Sequence, residues 1–454
     1  MLAAAALSES VDKVIIVERD VLPVTPDPRK GLPQARHSHL LWSGGARAIE
    51  DLLPGMEVAW LARGVRRVPL PTGLVNLTPL GWLRRFEEMQ YVIVGSRDLL
   101  DVVVRERVLS TPGISVRSGT TPVRLEGTRA RVTGVRVQAV SGGDEFVMSA
   151  DLVVDASGRG SSAPHWLRQL GLGQVHEEQV ESGVTYATRI FEAPAAARDF
   201  PLVNVQADAR QSDPPPKGAL MIPLEHGRWM VTLAGGRGAK LTGNEDDFVP
   251  FARGVRDPVV GDLIVGARPL TPVYTSRSTD NRRRFYERMI DFPDGFVVLG
   301  DAVGAYNPVY GHGMSVAALS AVELRNAVRV HGLYAKGLSR RVQRAVAQPV
   351  GLAWDLAAIR DARSGTKRTS LGFRLRNQFF DRFVETATAR PPVARALLAM
   401  MTLSATPAQV LTPRVVAAVL RGPGKPPVQE PPLTPAEVAS ARPDTAVRAD
   451  ESGG

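Results

Sequence analysis

Short apolar runs that stop in acid recur along this chain. Val14 to Val17 ends at Glu18, Leu152 to Val154 ends at Asp155, and Phe296 to Leu299 ends at Gly300-Asp301. Runs of this length, bounded by glycine or polar positions, predict buried strands. After the last one come Asn307-Pro308 and a turn with Gly311 and Gly313, then helical spacing from Met314 to about Val330. Val92 to Val94 predicts another strand. Ser96-Arg97-Asp98 supplies an N-cap and first turn, and Leu99, Leu100, Val103 and Val104 then share one helical face. A helix is expected near Gly44–Leu53, and strands at Ile114–Val116, Pro122–Leu125 and Gly134–Val140.

From about residue 175 to 290 the pattern changes. Val184–Phe191, Leu202–Gln206, Ala219–Leu224 and Trp229–Ala234 read as short strands, with Glu225-His226-Gly227 as a tight hairpin. This predicts a mostly antiparallel sheet inserted into an α/β frame. After Val330 the spacing is helical at Leu352–Ile359, Phe373–Val384, Val393–Leu403 and Val415–Leu420, with breaks at Pro391-Pro392 and Thr412-Pro413. Beyond Gly422 the chain is rich in proline and small polar residues and is expected to be disordered.

Composition narrows the class. With 454 residues, 44% of them hydrophobic, the chain can bury the cores of two or three domains. No apolar run reaches membrane-spanning length and no signal peptide is evident. The absence of cysteine excludes disulfides, thiolate metal sites and cysteine nucleophiles, and fits a reducing cytoplasm. Net charge is +10, and Arg325–Arg390 holds 14 Lys or Arg against Asp355, Asp361, Asp381 and Glu385, which equals the whole excess. That stretch reads as a solvated helical face, or as a surface for an anionic partner such as a membrane or a carrier protein. No zinc spacing, RNP motif or helix-turn-helix signature points to nucleic acid.

A strand, a glycine turn and a helix start together make an anion-binding corner, where backbone N–H groups and the helix dipole favour negative charge. An acid at the strand end accepts from a sugar hydroxyl, and glycine lets a bulky ligand touch the backbone. The stretch FVVLGDAVGAYNPVYGHGM, residues 296–314, has this form and suits a cofactor carrying both hydroxyls and phosphates. It resembles the class A type FAD-dependent monooxygenases, nearest the squalene and polyether epoxidase branch. The resemblance implies that Gly300 and Asp301 meet the ribityl chain, and that Pro308, Gly311, His312, Gly313 and Met314 cup the flavin ring. DLVVDASGRGS resembles the family's middle motif, which places Asp155, Gly158 and Arg159 near the pyrophosphate. Glu18 and Arg19 fall where the second strand's acid binds ribose. In the Pro-rich loop 21–43, LPQARHSHLLW resembles GxPQxRHxH and makes Arg36 a flavin candidate. Arg97 matches an SR position that reaches toward the cofactor, and Val123 a backbone contact for adenine. His37 and His39 lack the companions a metal site needs.

The implied fold is a Rossmann-like FAD-binding domain (1–174 and 291–335), an inserted antiparallel substrate sheet (175–290), a helical region (336–422) and a disordered tail (423–454). Asn204, Gln206, Met221, Trp229 and Met230 are candidates for the pocket wall. Arg282–Arg284 reads as a solvated surface. No GxGxxG precedes Val14, so the first strand and its phosphate loop are expected to be missing, and FAD binding by the chain as written to be weak.

The implied activity is oxygen transfer through a flavin C4a-hydroperoxide to a hydrophobic polyketide or isoprenoid, as epoxidase or hydroxylase. NAD(P)H would be the donor, directly or through a flavin reductase, with molecular oxygen as co-substrate. No catalytic dyad is evident. Tyr186 and His312 are candidates for a base, His312 lying between two glycines beside the implied flavin edge, and the catalytic residue stays open. A halogenase, a prenyl-chain reductase and a non-catalytic remnant stay open, although the halogenases' WxWxIP segment is not found.

Overall fold

The computed structural model describes residues 1–441 apart from 209, 211, 212, 278 and 362–370. Two acid-tipped runs form one parallel pair, Val153–Asp155 beside Phe296–Val298. The third, Val14–Val17, pairs in parallel with Ile114–Arg117. Among the described residues neither pair is bonded to a further strand, so each keeps an open edge. Helices Leu2–Leu7, Ser43–Leu52, Gly313–His331 and Leu338–Asp361 contribute to the apolar core around these strands. Two of them approach very closely at Gly45, where a Cβ would lie 2.5 Å from the Ser315 Cα.

A seven-stranded sheet makes the second layer. Its order is Tyr274–Ser276, Thr185–Glu192, Arg228–Gly235, Lys217–Leu224, Leu202–Val205, Leu74–Thr78, Gly81–Trp82. Alternation sorts its residues onto two faces. Val75, Val203, Met221, Trp229 and Val231 pack outward on Phe248, Phe251 and Val260. Leu202, Ile222 and Met230 pack inward on Val68, Leu70, Val92 and Val94 of a smaller sheet. Met221 and Trp229 are therefore outer core, not pocket wall, whereas Met230 belongs to the inner face.

Three other expectations change. The substrate sheet is not confined to 175–290, because Leu74–Thr78 joins it in parallel beside Leu202–Val205. Periodicity does not reveal a partner more than a hundred residues away. Arg282–Arg284 is not a solvated surface. Asn281–Arg284 is the middle strand between Glu177–Val180 and Gly304–Ala305, and Arg284 is buried against Glu177 and the Ser161 carbonyl. The segment 423–441 is ordered. Val428 bridges to Trp82, and Arg85 grips Glu437 with two N–H···O bonds of 2.6 and 2.7 Å. Its last helix, Pro435–Ser440, starts in a Thr434/Glu437 capping box. Tertiary contacts and a cap outweigh the polar composition there. Residues 442–454 lie outside the described residues.

Candidate cofactor and substrate site

Asp301 stands just past the Phe296–Val298 strand, in a 3-10 turn opened by Gly300 at φ +58°. The turn faces the start of the Gly313–His331 helix, where a Cβ on Gly313 would lie 3.5 Å from Asp301 Oδ1. The carboxylate keeps partial exposure and makes no hydrogen bond among the described residues. Burial pushes its pKa up, and the Arg159, Arg97 and Arg282 guanidiniums pull it down. Asp301 thus lies at a helix N-terminus, and three guanidiniums act on its carboxyl through charge. Arg97 Nε is buried without a partner among the described residues, while Arg97 holds Asp101 at 3.7 Å. Arg159 donates to the Asp280 carbonyl at 2.7 Å.

Asp155 is differently placed. Its Oδ1 accepts from the Ser157 N–H and hydroxyl at 2.9 and 2.5 Å, and its Oδ2 from the Ser161 hydroxyl at 2.6 Å. Its own turn thus supplies a partner to each carboxylate oxygen. Gly158, at φ +81°, has open space where a Cβ would go. Val123 is the odd residue at a β-bulge. Pairing passes from Pro122 to Arg124 and leaves its backbone unmatched. Glu18 ends its strand as expected, but its carboxylate meets Arg29 at 2.8 Å. Arg29 also reaches Asp20 and Asp101 at 3.5 and 3.4 Å. Arg19 points outward.

The Pro308–Tyr310 turn and Gly311, at φ +63°, are tied to both layers. Trp42 donates from Nε1 to the Tyr310 carbonyl at 3.0 Å. The Tyr186 hydroxyl donates to Asn307 Oδ1 and accepts from the Val309 N–H at 3.2 Å. His312 is buried, with Nε2 3.0 Å from the Met401 carbonyl, so its ring braces the Pro391–Met401 helix. Met314 is half-buried. Arg36 is exposed and lies over the Tyr274 ring, 4.8 Å from its centroid. His39 sits near Arg97 and bonds the His37 carbonyl at 2.8 Å. Burial first, then Arg97, lowers its pKa to about 4. Burial and Arg36 also lower His37.

Sequence reading missed Arg282, Trp42, Thr188, Thr232 and Asn76. Strand alternation could have flagged the two threonines and Asn76 as polar members of an inward face. Nothing in spacing could have brought Arg282 to Asp301.

No protein-family model matches the chain. Protein Rv3254 of Mycobacterium tuberculosis is 31% identical over 418 residues, spanning 88% of this chain and 86% of that protein. The chain belongs to the Rv3254 family. This Rv3254-family chain is also 26% identical over 349 residues to kynurenine 3-monooxygenase of Salinispora arenicola, covering 73% and 70% of the two chains.

Solved structures show the fold of the Rv3254-family chain. The flavin-dependent brominase Bmp2 matches with a TM-score of 0.65 at 14% identity, over 92% of this chain and 94% of that one. PqsL, a probable FAD-dependent monooxygenase of Pseudomonas aeruginosa, gives 0.60 at 17% over 83% and 94%. The p-nitrophenol 4-monooxygenase PnpA of Pseudomonas putida gives 0.61 at 15% over 88% and 95%. The fold is that of the FAD-dependent monooxygenases and halogenases, with a sheet-rich second layer and C-terminal helices. Among the described residues no helix is long and apolar enough to cross a membrane.

Proposed function

We propose that this protein is an FAD-dependent monooxygenase that epoxidises or hydroxylates a hydrophobic polyketide- or isoprenoid-type molecule, with NAD(P)H as electron donor. One observation carries the reading: Asp301, without a hydrogen bond among the described residues, faces a helix N-terminus within the field of three arginines. A ligand with hydroxyls and phosphates supplies a donor for Asp301 and an acceptor for the buried Arg97 Nε. In this reading Asp301 accepts from a ribityl hydroxyl. Arg97, Arg159 and Arg282 neutralise phosphate, the bulged Val123 backbone meets adenine, and the Pro308–Gly313 loop holds the flavin ring.

Bound FAD supplies activation of dioxygen, chemistry that no side chain provides. The protein's own part is to position, to exclude water and to hold protons. Tyr186 fixes the flavin loop through Asn307 and Val309. Trp42 closes it from the other side. Leu202, Ile222 and Met230 of the inner sheet face pack on Val68, Leu70, Val92 and Val94 and would help to exclude water on that side.

The test is oxygen-18 tracing. FAD-loaded protein is given NADPH, labelled dioxygen and candidate polyenes or aromatic polyketides. Gain of one labelled oxygen atom in the product is the expected result. Brominated product in the presence of bromide would show halogenation instead. A protein that stays colourless with excess FAD would sink the reading.

A further inference from the structure

One row of cross-strand neighbours crosses the inner face of the seven-stranded sheet. In register it reads Tyr274, Thr188, Thr232, Leu220, Asn204, Asn76. The loop Arg36–Ser38 runs along its first half. Arg36 covers Tyr274, His37 Nδ1 lies 2.8 Å from Thr188 Oγ1, and Ser38 Oγ lies 2.7 Å from Thr232 Oγ1. Thr232 Oγ1 also meets Thr188 Oγ1 at 2.8 Å and accepts the Ser38 N–H at 3.3 Å. A hydroxyl offers one donor and two acceptor sites, so Thr232 is saturated.

The second half is not covered in this way. Asn76 Oδ1 accepts from Asn204 Nδ2 at 2.9 Å and from Gln206 Nε2 at 3.1 Å. This orients the amides so that Asn76 Nδ2 and Asn204 Oδ1 face elsewhere. Those two atoms make no hydrogen bond among the described residues, although Asn76 is buried and Asn204 half-buried. Neither atom is fully sealed from solvent, so both are open to a ligand, which would gain a donor and an acceptor at a largely apolar face. The row carries no Lys or Arg, so it offers neutral donors and acceptors, not a partner for a carboxylate. Strands lie about 4.8 Å apart, so the four spacings from Thr188 to Asn76 amount to roughly 19 Å. Tyr186, two residues from Thr188, is the anchor of the Asn307–Val309 loop.

Resting on the flavin reading above, we propose that Asn76 and Asn204, supported by Gln206, form a distal recognition subsite for a neutral, elongated, multi-ring substrate. A carbonyl or hydroxyl at the far end of that molecule is held by the amides, while its near end reaches the Pro308–Gly313 loop.

The test is a titration by quenching of tryptophan fluorescence, on FAD-loaded protein and on protein stripped of FAD. The probes are a polyhydroxylated four-ring quinone, p-nitrophenol and kynurenine. Wild-type protein is expected to bind the quinone at least tenfold more tightly than either smaller probe. The double variant Asn76→Leu/Asn204→Leu is expected to lose at least tenfold for the quinone alone. Its melting temperature should fall only slightly, because both partners of the Asn76–Asn204 bond become apolar and the Gln206 amide that loses Asn76 is only half-buried. If that variant does not fold, Gln206→Leu serves, with an expected threefold loss. For any quinone that turns over, KM rises and kcat holds, as for a contact made equally in ground and transition states. Preference for a small probe, or unchanged quinone affinity in the variant that folds, overturns the subsite. Failure to bind FAD would sink the flavin reading alone, since the stripped protein still reports on the amides.

Discussion

Asp155 and Asp301 lie at the ends of neighbouring parallel strands, each after an apolar run, yet they are in opposite chemical states. Asp155 is enclosed by three hydrogen bonds from Ser157 and Ser161. Asp301 has none among the described residues, and burial raises its pKa against the pull of three arginines. The difference lies in the residues just past each strand. After Asp155 come serines that fold back onto the carboxylate. After Asp301 come Ala302, Val303 and Gly304, which offer no side-chain donor. An acid at a strand tip is thus structural or ligand-seeking according to the three or four residues beyond it.

The strongest test exchanges the two fates. Asp155→Ala removes the acceptor for three donors and is expected to cost about 3–4 kcal/mol of stability. Asp301→Asn is expected to leave stability equal or slightly higher at neutral pH. A carboxyl whose folded pKa is raised destabilises the native state while ionised, and that penalty goes with the charge. The same substitution should weaken FAD binding about a hundredfold, or about 2.7 kcal/mol. Thermal melts and a flavin fluorescence titration read both. If Asp301→Asn melts early with FAD affinity intact, the comparison is inverted.

His39, half-buried, extends the contrast to a base. Its folded pKa of about 4 lies below the ordinary 6.5, so the unfolded chain binds more protons between those values. Stability is therefore complete above about pH 6.5 and falls as pH drops through 6.5 toward 4. The expected loss is roughly 2 kcal/mol between pH 7 and 4.5, discounted for residual solvent access. Urea melts across that range, with His39→Phe as the flattened reference, measure it. An equal slope in both proteins would remove His39 from the account.

Arg97 is the next smaller lever. Arg97→Met keeps length and removes charge. With Arg159 and Arg282 still present, it should lower FAD affinity about tenfold, or about 1.4 kcal/mol. Free-protein stability should hold, because the ion pair to Asp101 at 3.7 Å contributes little and Asp101 keeps Arg105 at 2.9 Å. Isothermal titration with FAD reads the change. Arg107→Met, on the same helix but with its side chain toward the Pro54 carbonyl, is the control expected to show no loss.

How much of this is legible in the sequence depends on the range of each interaction. The acid-tipped strands, the Ser96-capped helix and the antiparallel strands between residues 185 and 235 are set by periods of two and 3.6 within a window, and they stand where the pattern puts them. Asp301 and the Pro308–Gly313 loop are legible for the same reason, since strand, turn and helix are contiguous. Asp155 carries the same signal, and only the hydroxyl geometry of Ser157 and Ser161 separates it from Asp301. Arg282 and the parallel entry of Leu74–Thr78 depend on chain segments brought together from far apart. Composition misread residues 423–441, because local polarity carries no record of a distant arginine.

That last error sets up the smallest and sharpest test. Arg85 and Glu437 lie 352 positions apart and form a two-bond pair, each side chain largely covered. Burial works to raise the Glu437 carboxyl, but hydrogen bonds and charge from Arg85, with Thr434, outweigh it and lower the pKa. A folded pKa below the ordinary value gives stability that is present above it and lost as pH falls. Arg85→Ala should therefore cost about 1 kcal/mol at neutral pH and less in acid, as Glu437 is protonated. The loss should appear first as faster proteolysis after residue 422, while the sheet core beneath Trp82 stays protected. A pair this covered resembles Asp155 more than Asp301, in that its groups satisfy each other and leave nothing for a ligand. If Arg85→Ala changed FAD affinity and left tail proteolysis alone, that division between satisfied and ligand-seeking charges would fail at its plainest case.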